Sequence, residues 1–206
     1  MSGIIAQNSG RHTGLVKASS GGGGVWNLIK TYTASGDADL SFVEGTDDID
    51  FTAYDEYVFK FINVHPETDA QDFSFNFSTD TGSNYNVTKT TTTFFTFNTE
   101  ADDETNLFYY TATDIAQGTG FQATGAGMLG SDTDECIVGN LYLFNPSSTV
   151  FVKHFTSTFN YVEYRDRSIS GFIAGYGNTT SAIDAVQFKM TSGNIDAGQI
   201  SLYGIS

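Results

Sequence analysis

The sequence predicts an all-β fold, a two-sheet jelly-roll-like sandwich with an extended N-terminal arm. The first reason is composition, because the 206 residues include 18 Phe and 11 Tyr, and aromatic residues favour pleated strands. The second is the presence of 22 Gly against 2 Pro, which is typical of strands joined by Gly, Asn, Asp and Ser turns. The third is a succession of short strand-like stretches that do not alternate with helices, which disfavours a parallel sheet.

The predicted strands are separated by turn residues. They cover residues 25–33, 39–43, 57–64, 72–78, 86–98, 137–144, 150–164, 169–176, 185–191 and 199–205. Roughly ten short strands at this spacing indicate either a sandwich or a closed barrel. We favour the sandwich, although the spacing alone does not separate the two.

Several stretches allow a more detailed prediction. Residues 72–78 alternate Phe with polar residues, which indicates a half-buried strand. Residues 57–64 are mostly apolar at successive positions, which indicates a central strand covered on both faces. The polar segment 192–198 suits the turn of a hairpin between the last two strands. Residues 100–135 read as a long excursion with a helical turn over 107–117, and so long a connection is often functional.

Charge divides the chain into an arm, residues 1–24, and a sandwich domain, residues 25–206. The arm carries Arg11 and Lys17 and no acidic residue, so its net charge is +2. The domain holds all 24 acidic residues and seven of the nine basic ones, so its net charge is −17. Asymmetry of this kind indicates an interaction tail, and the Gly-rich end of the arm reads as a linker.

The net charge of −15 argues against nucleic acid and anionic membranes as partners, because binding to phosphate requires clustered Lys and Arg. The N-terminal apolar runs are too short for a secretory signal, and no stretch approaches the roughly 20 apolar residues of a membrane helix. Cys136 is the one cysteine, which excludes a disulfide within the chain.

Catalysis finds little support, and we expect neither an enzyme nor a cofactor. The histidines His12, His65 and His154 belong to no spaced metal or triad motif. The acidic clusters fall in predicted loops, where carboxylates are mostly solvated. Calcium binding stays open, with Asp132 and Asp134 as the nearest candidates, but no run matches a known calcium loop.

Exposed aromatic side chains can stack on sugar rings. The adjacent Tyr109 and Tyr110 are the candidates for such ligand binding, against an equally simple interpretation as packing residues. Trp26 opens a predicted strand, which favours packing in the core or in an interface.

The chain resembles small structural proteins of marine tailed bacteriophages of the cyanophage type. The resemblance covers nearly the whole chain and is specific for the family, with no catalytic signature. The stretches that carry it are Ser2-Gly3-Ile4-Ile5, Tyr54-Asp55-Glu56-Tyr57, Asn63-Val64-His65-Pro66 with Thr68-Asp69, Leu143-Phe144-Asn145-Pro146-Ser147-Ser148, Lys153-His154-Phe155, Ala174-Gly175-Tyr176 with Asn178-Thr179-Thr180-Ser181-Ala182, and the ending from Phe188 to Ile205.

This resemblance implies a virion structural protein that is assembled in the host cytoplasm. We expect a surface component, either a head decoration or a tail or fibre protein, whose arm binds other capsid or tail proteins. Apolar side chains of the arm would enter a groove or add a strand to a neighbouring sheet, and its basic residues would meet acidic groups. The residues that we expect to anchor the arm are Ile4, Ile5, Arg11, Leu15, Val16 and Lys17.

Two further expectations concern partners. A homo-oligomer, and a trimer in particular, follows by analogy with fibres and spikes. The alternative function is an adhesion module of the tail that binds a carbohydrate or another receptor on the host surface. The sequence does not decide between head and tail.

Overall fold

The computed structural model describes residues 24–125 and 128–206, which form thirteen strands and no helix. Over the same residues, no helix has the length and apolar character needed to cross a membrane. The strands are β1 Trp26–Thr33, β2 Leu40–Val43, β3 Glu56–Pro66, β4 Phe73–Ser78, β5 Lys89–Thr99, β6 Thr105–Tyr109, β7 Ala116–Gly118, β8 Gln122–Ala123, β9 Ile137–Phe144, β10 Lys153–Glu163, β11 Arg167–Gly177, β12 Ala185–Met190 and β13 Ile195–Ile205.

The strands form two antiparallel sheets packed as a sandwich, which confirms the predicted fold class. The broad sheet has the order β1-β13-β3-β9-β10-β11-β5-β6, with β7 also paired to β5. The narrow sheet has the order β2-β12-β4-β8. Eight strands, β1-β13-β3-β9 and β2-β12-β4-β8, are wound as a jelly roll, because the chain crosses between the sheets at each step from β1 to β4 and again from β12 to β13.

The other five strands widen one sheet only. The hairpin β10–β11 follows β9 directly, and β5 and β6 continue the broad sheet beyond β11. The outer face of the broad sheet is therefore a wide surface. All strand pairings in the broad sheet are antiparallel.

The core between the sheets is built from aromatic rings. Phe188 of β12 lies at its centre, with ring centroids of Phe42, Phe59, Phe61, Phe73 and Phe75 at 5.2–6.4 Å. Phe42 and Phe61 meet the Phe188 ring edge-on and Phe73 stacks on it, and aromatic quadrupoles favour both arrangements. These rings come from both sheets, so the core holds the two sheets together.

The predicted hairpin over 192–198 is wrong. β12 and β13 are consecutive in sequence but lie in different sheets, so this segment crosses the sandwich instead of turning within one sheet. β13 instead pairs with β1 and β3. Gly193, in the connection between β12 and β13, has a φ of 72°, and Gly198, at a register shift inside β13, has a φ of 108°, a region open to glycine.

The prediction of a half-buried strand over 72–78 is also wrong, because all six residues of β4 are buried. The Phe side chains face the core as expected. The polar face is covered as well, and two of its side chains donate to backbone carbonyl oxygens. Asn76 donates to the carbonyl oxygens of Tyr85 and Thr119, and Ser74 donates to that of Lys189.

The helical turn predicted over 107–117 is absent, since this segment contains the end of β6 and the start of β7. The excursion over 100–135 instead adds β6, β7 and β8 to the two sheets. The central position predicted for 57–64 is confirmed, because β3 lies between β13 and β9, but the predicted coverage of both faces is wrong, since Lys60, Ile62 and Asn63 are exposed.

Candidate functional site: a groove on the broad sheet

The outer face of the broad sheet carries rows of aromatic and threonine side chains. Adjacent strands are in register, so Thr158 of β10, Phe172 of β11, Phe94 of β5 and Tyr109 of β6 form one row. The rings of Phe94 and Phe172 stack with centroids 5.2 Å apart. Successive residues of a strand point to opposite faces of the sheet. This row therefore faces solvent, whereas Phe95 and Ile173 face the core.

A second row of rings lies four residues along the same strands. His154 of β10 is paired with Tyr176 of β11, which is paired with Thr90 of β5. The His154 and Tyr176 ring centroids are 6.0 Å apart. Four residues of a strand span about 13 Å, so the two aromatic rows are separated by the length of a short oligosaccharide.

Between the two rows the side chains are small. Thr156, Ala174 and Thr92 form the middle row of the same three strands. A groove of about 360 Å³ results at this position. Its lining consists of Thr90, Thr91, Thr92, His154, Phe155, Thr156, Ala174, Gly175 and Tyr176. We call this depression, with the Phe94–Phe172 stack at its far end, the groove.

The lining of the groove carries no carboxylate, although the domain as a whole is strongly acidic. The chemical groups that it offers are threonine hydroxyls, which donate and accept hydrogen bonds, and ring faces with a negative quadrupole. This combination suits a neutral ligand with hydroxyl groups on its edges and polarised C–H groups on its faces. A sugar has both.

The structure separates the two tyrosines that the sequence places side by side. Tyr109 is 57% exposed on the outer face, and its hydroxyl donates to Oδ2 of Asp114. Tyr110 follows the end of β6 and turns inward, where its ring packs on Phe95 at 5.1 Å. The two side chains therefore do not form a joint platform. Tyr109 extends the aromatic row at the end of the groove, and Tyr110 is a packing residue.

Comparison of the chain with protein-family models, with curated proteins and with solved structures found no match. The functional interpretation therefore depends on the geometry of this chain and on the resemblance noted in its sequence.

The residues predicted to anchor the arm, Ile4, Ile5, Arg11, Leu15, Val16 and Lys17, lie outside the described residues. The point where the arm joins the domain is described. The backbone N–H groups of Gly24 and Val25 donate to the carbonyl oxygen of Ser206 at 2.6 and 3.2 Å. Gly24 thus lies beside the edge strand β1, whereas the groove lies on β10, β11 and β5 in the other half of the sheet.

The acidic loop that holds Asp132 and Asp134 lines a cleft of about 470 Å³ with His65 and Asp196. One of its carboxylates accepts from the backbone of the loop, and another lies near a histidine ring. The Asp132 N–H donates to Glu135 Oε2 at 2.7 Å, and His65 Nδ1 lies 3.4 Å from Asp196 Oδ2. Burial raises the pKa of Glu135. Across residues 24–125 and 128–206, no group of three or more His, Cys, Asp or Glu side chains is arranged to hold a metal ion.

Sequence reasoning missed the groove residues because each strand was read for its core face. The signal was present in the run 86–98, where Thr90, Thr92 and Phe94 occupy alternate positions opposite the buried ones. Which outward rows of β5, β10 and β11 meet depends on strand pairing and register, and these are not visible in any single strand.

Proposed function

We propose that the protein is a structural component displayed on the surface of a virus particle, attached through its N-terminal arm. The observation that carries this proposal is the position at which the arm joins the fold. Gly24 is held beside Ser206 at the β1 edge. β1 is four to six strand spacings away from the strands of the groove, or about 19–29 Å. An arm bound at that edge leaves the wide outer face free.

The resemblance to structural proteins of marine tailed phages supports the same proposal. The charge distribution agrees with it, because the +2 arm can meet an acidic partner that would repel the −17 domain. Many copies on one particle would make a weak arm contact effective through avidity. A homo-oligomer such as a trimer is part of the proposal, and head and tail positions both fit.

The test compares the full chain with a chain that begins at Val25. We expect both to unfold at the same temperature, and only the full chain to attach to purified particles. A full-length chain with Arg11→Gln and Lys17→Gln removes the charge and keeps the apolar side chains. Equal attachment of the shortened chain would contradict anchoring by the arm. Immunogold labelling with an antibody against residues 25–206 distinguishes head from tail, and absence of label on intact particles would overturn surface display.

The groove favours a second candidate function, the binding of a neutral host-surface glycan. Aromatic rings at both ends and hydroxyls between them match a short stretch of sugar residues. We expect Phe172→Ala and Tyr176→Ala to weaken the binding of the full chain to a glycan array at least tenfold. Trp26→Ala is the matched control, because Trp26 is an exposed ring on β1, four or more strands away from the groove. An unchanged array pattern in all three variants would exclude the groove while leaving surface display untouched.

A further inference from the structure

Asn76 and Lys89 meet in the interior, on the covered polar face of β4 that points away from the aromatic core. Asn76 belongs to β4 of the narrow sheet, and Lys89 is the first residue of β5 in the broad sheet. Both residues are completely buried. The Nζ atom of Lys89 is in direct contact with Oδ1 of Asn76. A nucleophilic amine therefore lies against a carboxamide at a place where the fold fixes both side chains.

The carboxamide of Asn76 is held in one orientation by three backbone groups. Its Nδ2 donates to the carbonyl oxygens of Tyr85 at 2.5 Å and Thr119 at 3.0 Å. Its Oδ1 accepts from the N–H of Phe77 at 2.9 Å. The Phe77 N–H lies where it can stabilise negative charge that develops on Oδ1, in the manner of an oxyanion hole.

Lys89 has no acidic partner among the described residues. The other contact of its Nζ atom is the carbonyl oxygen of Val87 at 2.9 Å, and no carboxylate lies within ion-pair distance of it. Desolvation lowers the pKa of Lys89 to about 7. A substantial fraction of the side chain is then the neutral amine at neutral pH, which is the nucleophilic form.

We propose that Lys89 and Asn76 form an intramolecular amide bond that joins the two sheets covalently. The lone pair of Nζ attacks Cγ of Asn76 and forms the new N–C bond. The bond from Cγ to Nδ2 then breaks, one proton passes from Nζ to Nδ2, and ammonia leaves. The product is a secondary amide, and the step requires no oxidant, reductant or further reactant.

The reaction depends on the proximity of the two side chains. Well-oriented intramolecular reactions reach effective molarities of about 10⁵–10⁸ M, and the fold places the amine in contact with Oδ1, one bond away from Cγ. No carboxyl group contacts either side chain in the described part of the chain, so proton transfer lacks a general acid. We therefore expect the bond to form slowly after folding, and faster above pH about 7, where the amine is neutral.

The test is the mass of the full-length protein, followed over days after purification at mildly alkaline pH. We expect the mass to fall by that of one ammonia. Trypsin should then fail to cleave after Lys89 and leave a single peptide of residues 61–153, since no other Lys or Arg lies within it. Cleavage after Tyr85 by chymotrypsin should leave the pieces that hold Asn76 and Lys89 joined. An unchanged mass, with normal tryptic cleavage after Lys89, would overturn the proposal.

Lys153→Met is the matched control, because Lys153 is equally buried but contacts only backbone carbonyl oxygens. This variant should still lose ammonia, whereas Lys89→Met should not. Asparagine can also lose ammonia by closing on its own backbone, and the joined chymotryptic pieces distinguish the two products. If Lys89→Met fails to fold, the wild-type peptides alone decide the question.

Discussion

Lys89 and Lys153 lie in one row of the broad sheet, on either side of Gly177. The register pairs Lys153 with Gly177 and Gly177 with Lys89, and both lysines are completely buried. Two of the seven basic residues of a domain with net charge −17 are therefore withdrawn from its surface. The Nζ atom of Lys153 donates to the carbonyl oxygen of Phe151 at 2.8 Å and lies 3.5 Å from that of Thr179.

The burial of Lys153 predicts a specific pH dependence of stability. Desolvation lowers its pKa in the folded protein below the ordinary value of 10.5. Between the two values the unfolded chain binds more protons than the folded one, so stability rises with pH across that window. We expect the free energy of unfolding of the wild type to rise relative to that of Lys153→Met as the pH rises from neutral to about 10. Denaturant unfolding of both proteins measures this difference. Parallel curves for the two proteins would contradict this prediction.

The close packing around Phe159 predicts that one methyl group added beside its ring lowers the stability of the fold. The register places Gly139 and Gly171 on either side of this ring, and a Cβ on Gly171 would lie 2.3 Å from the ring of Phe159. We expect Gly171→Ala to lower the free energy of unfolding by about 1–3 kcal/mol. Gly120→Ala is the control, because a Cβ there meets nothing within 4 Å, and it should change stability by less than about 0.5 kcal/mol. Denaturant titration measures both, and equal effects would contradict the clash.

The ion pairs of Glu163 and Glu104 predict that removal of a buried charge destabilises the fold more than removal of an exposed one. The Glu163 side chain is fully buried and pairs with Arg165 and with Arg167, whose Nε is 3.5 Å away. Glu163→Gln should cost about 1.5–3 kcal/mol, the contribution of hydrogen bonds to a charged group. Glu104 pairs with the same Arg167 from a side chain that is 55% exposed, so Glu104→Gln should cost less than about 1 kcal/mol.

The measurement for this pair is unfolding at low and high salt. Salt screens exposed charges more strongly than buried ones, so the effect of Glu104→Gln should fade while that of Glu163→Gln persists. The interpretation is wrong if both effects disappear together in salt.

A substitution in the lining of the groove should weaken ligand binding without destabilising the fold. Thr156→Val keeps the shape of the middle row and removes one hydroxyl from the lining. If the groove binds a glycan through that hydroxyl, the affinity should fall by about 1 kcal/mol, or roughly fivefold, with no change in the unfolding temperature. Thr96→Val is the control, since Thr96 is exposed on the same face of β5 but pairs with Ser170, beyond the Phe94–Phe172 row and outside the lining. An equal loss in both variants would point to a general effect on the sheet.

The sequence alone determined the fold class and most of the strands. The strand predicted over 137–144 matches β9 at both ends, and those over 25–33 and 185–191 differ from β1 and β12 by one residue. Alternation of apolar and polar residues is a local property, because it follows from the opposite directions of successive side chains in one strand. A local property can be read without knowledge of the partner strand.

Only the tertiary structure decided the features that depend on how two strands pair or pack together. The segment 192–198 looks like a hairpin turn, yet β13 pairs with β1 and β3 in the other sheet. Residues 72–78 look half-buried, yet later parts of the chain cover their polar face. Lys89 and Tyr176 read as ordinary strand residues, and only the register brings one against Asn76 and the other beside His154. The physical reason is that burial and contact are set by pairings between residues distant in sequence, which no single strand encodes.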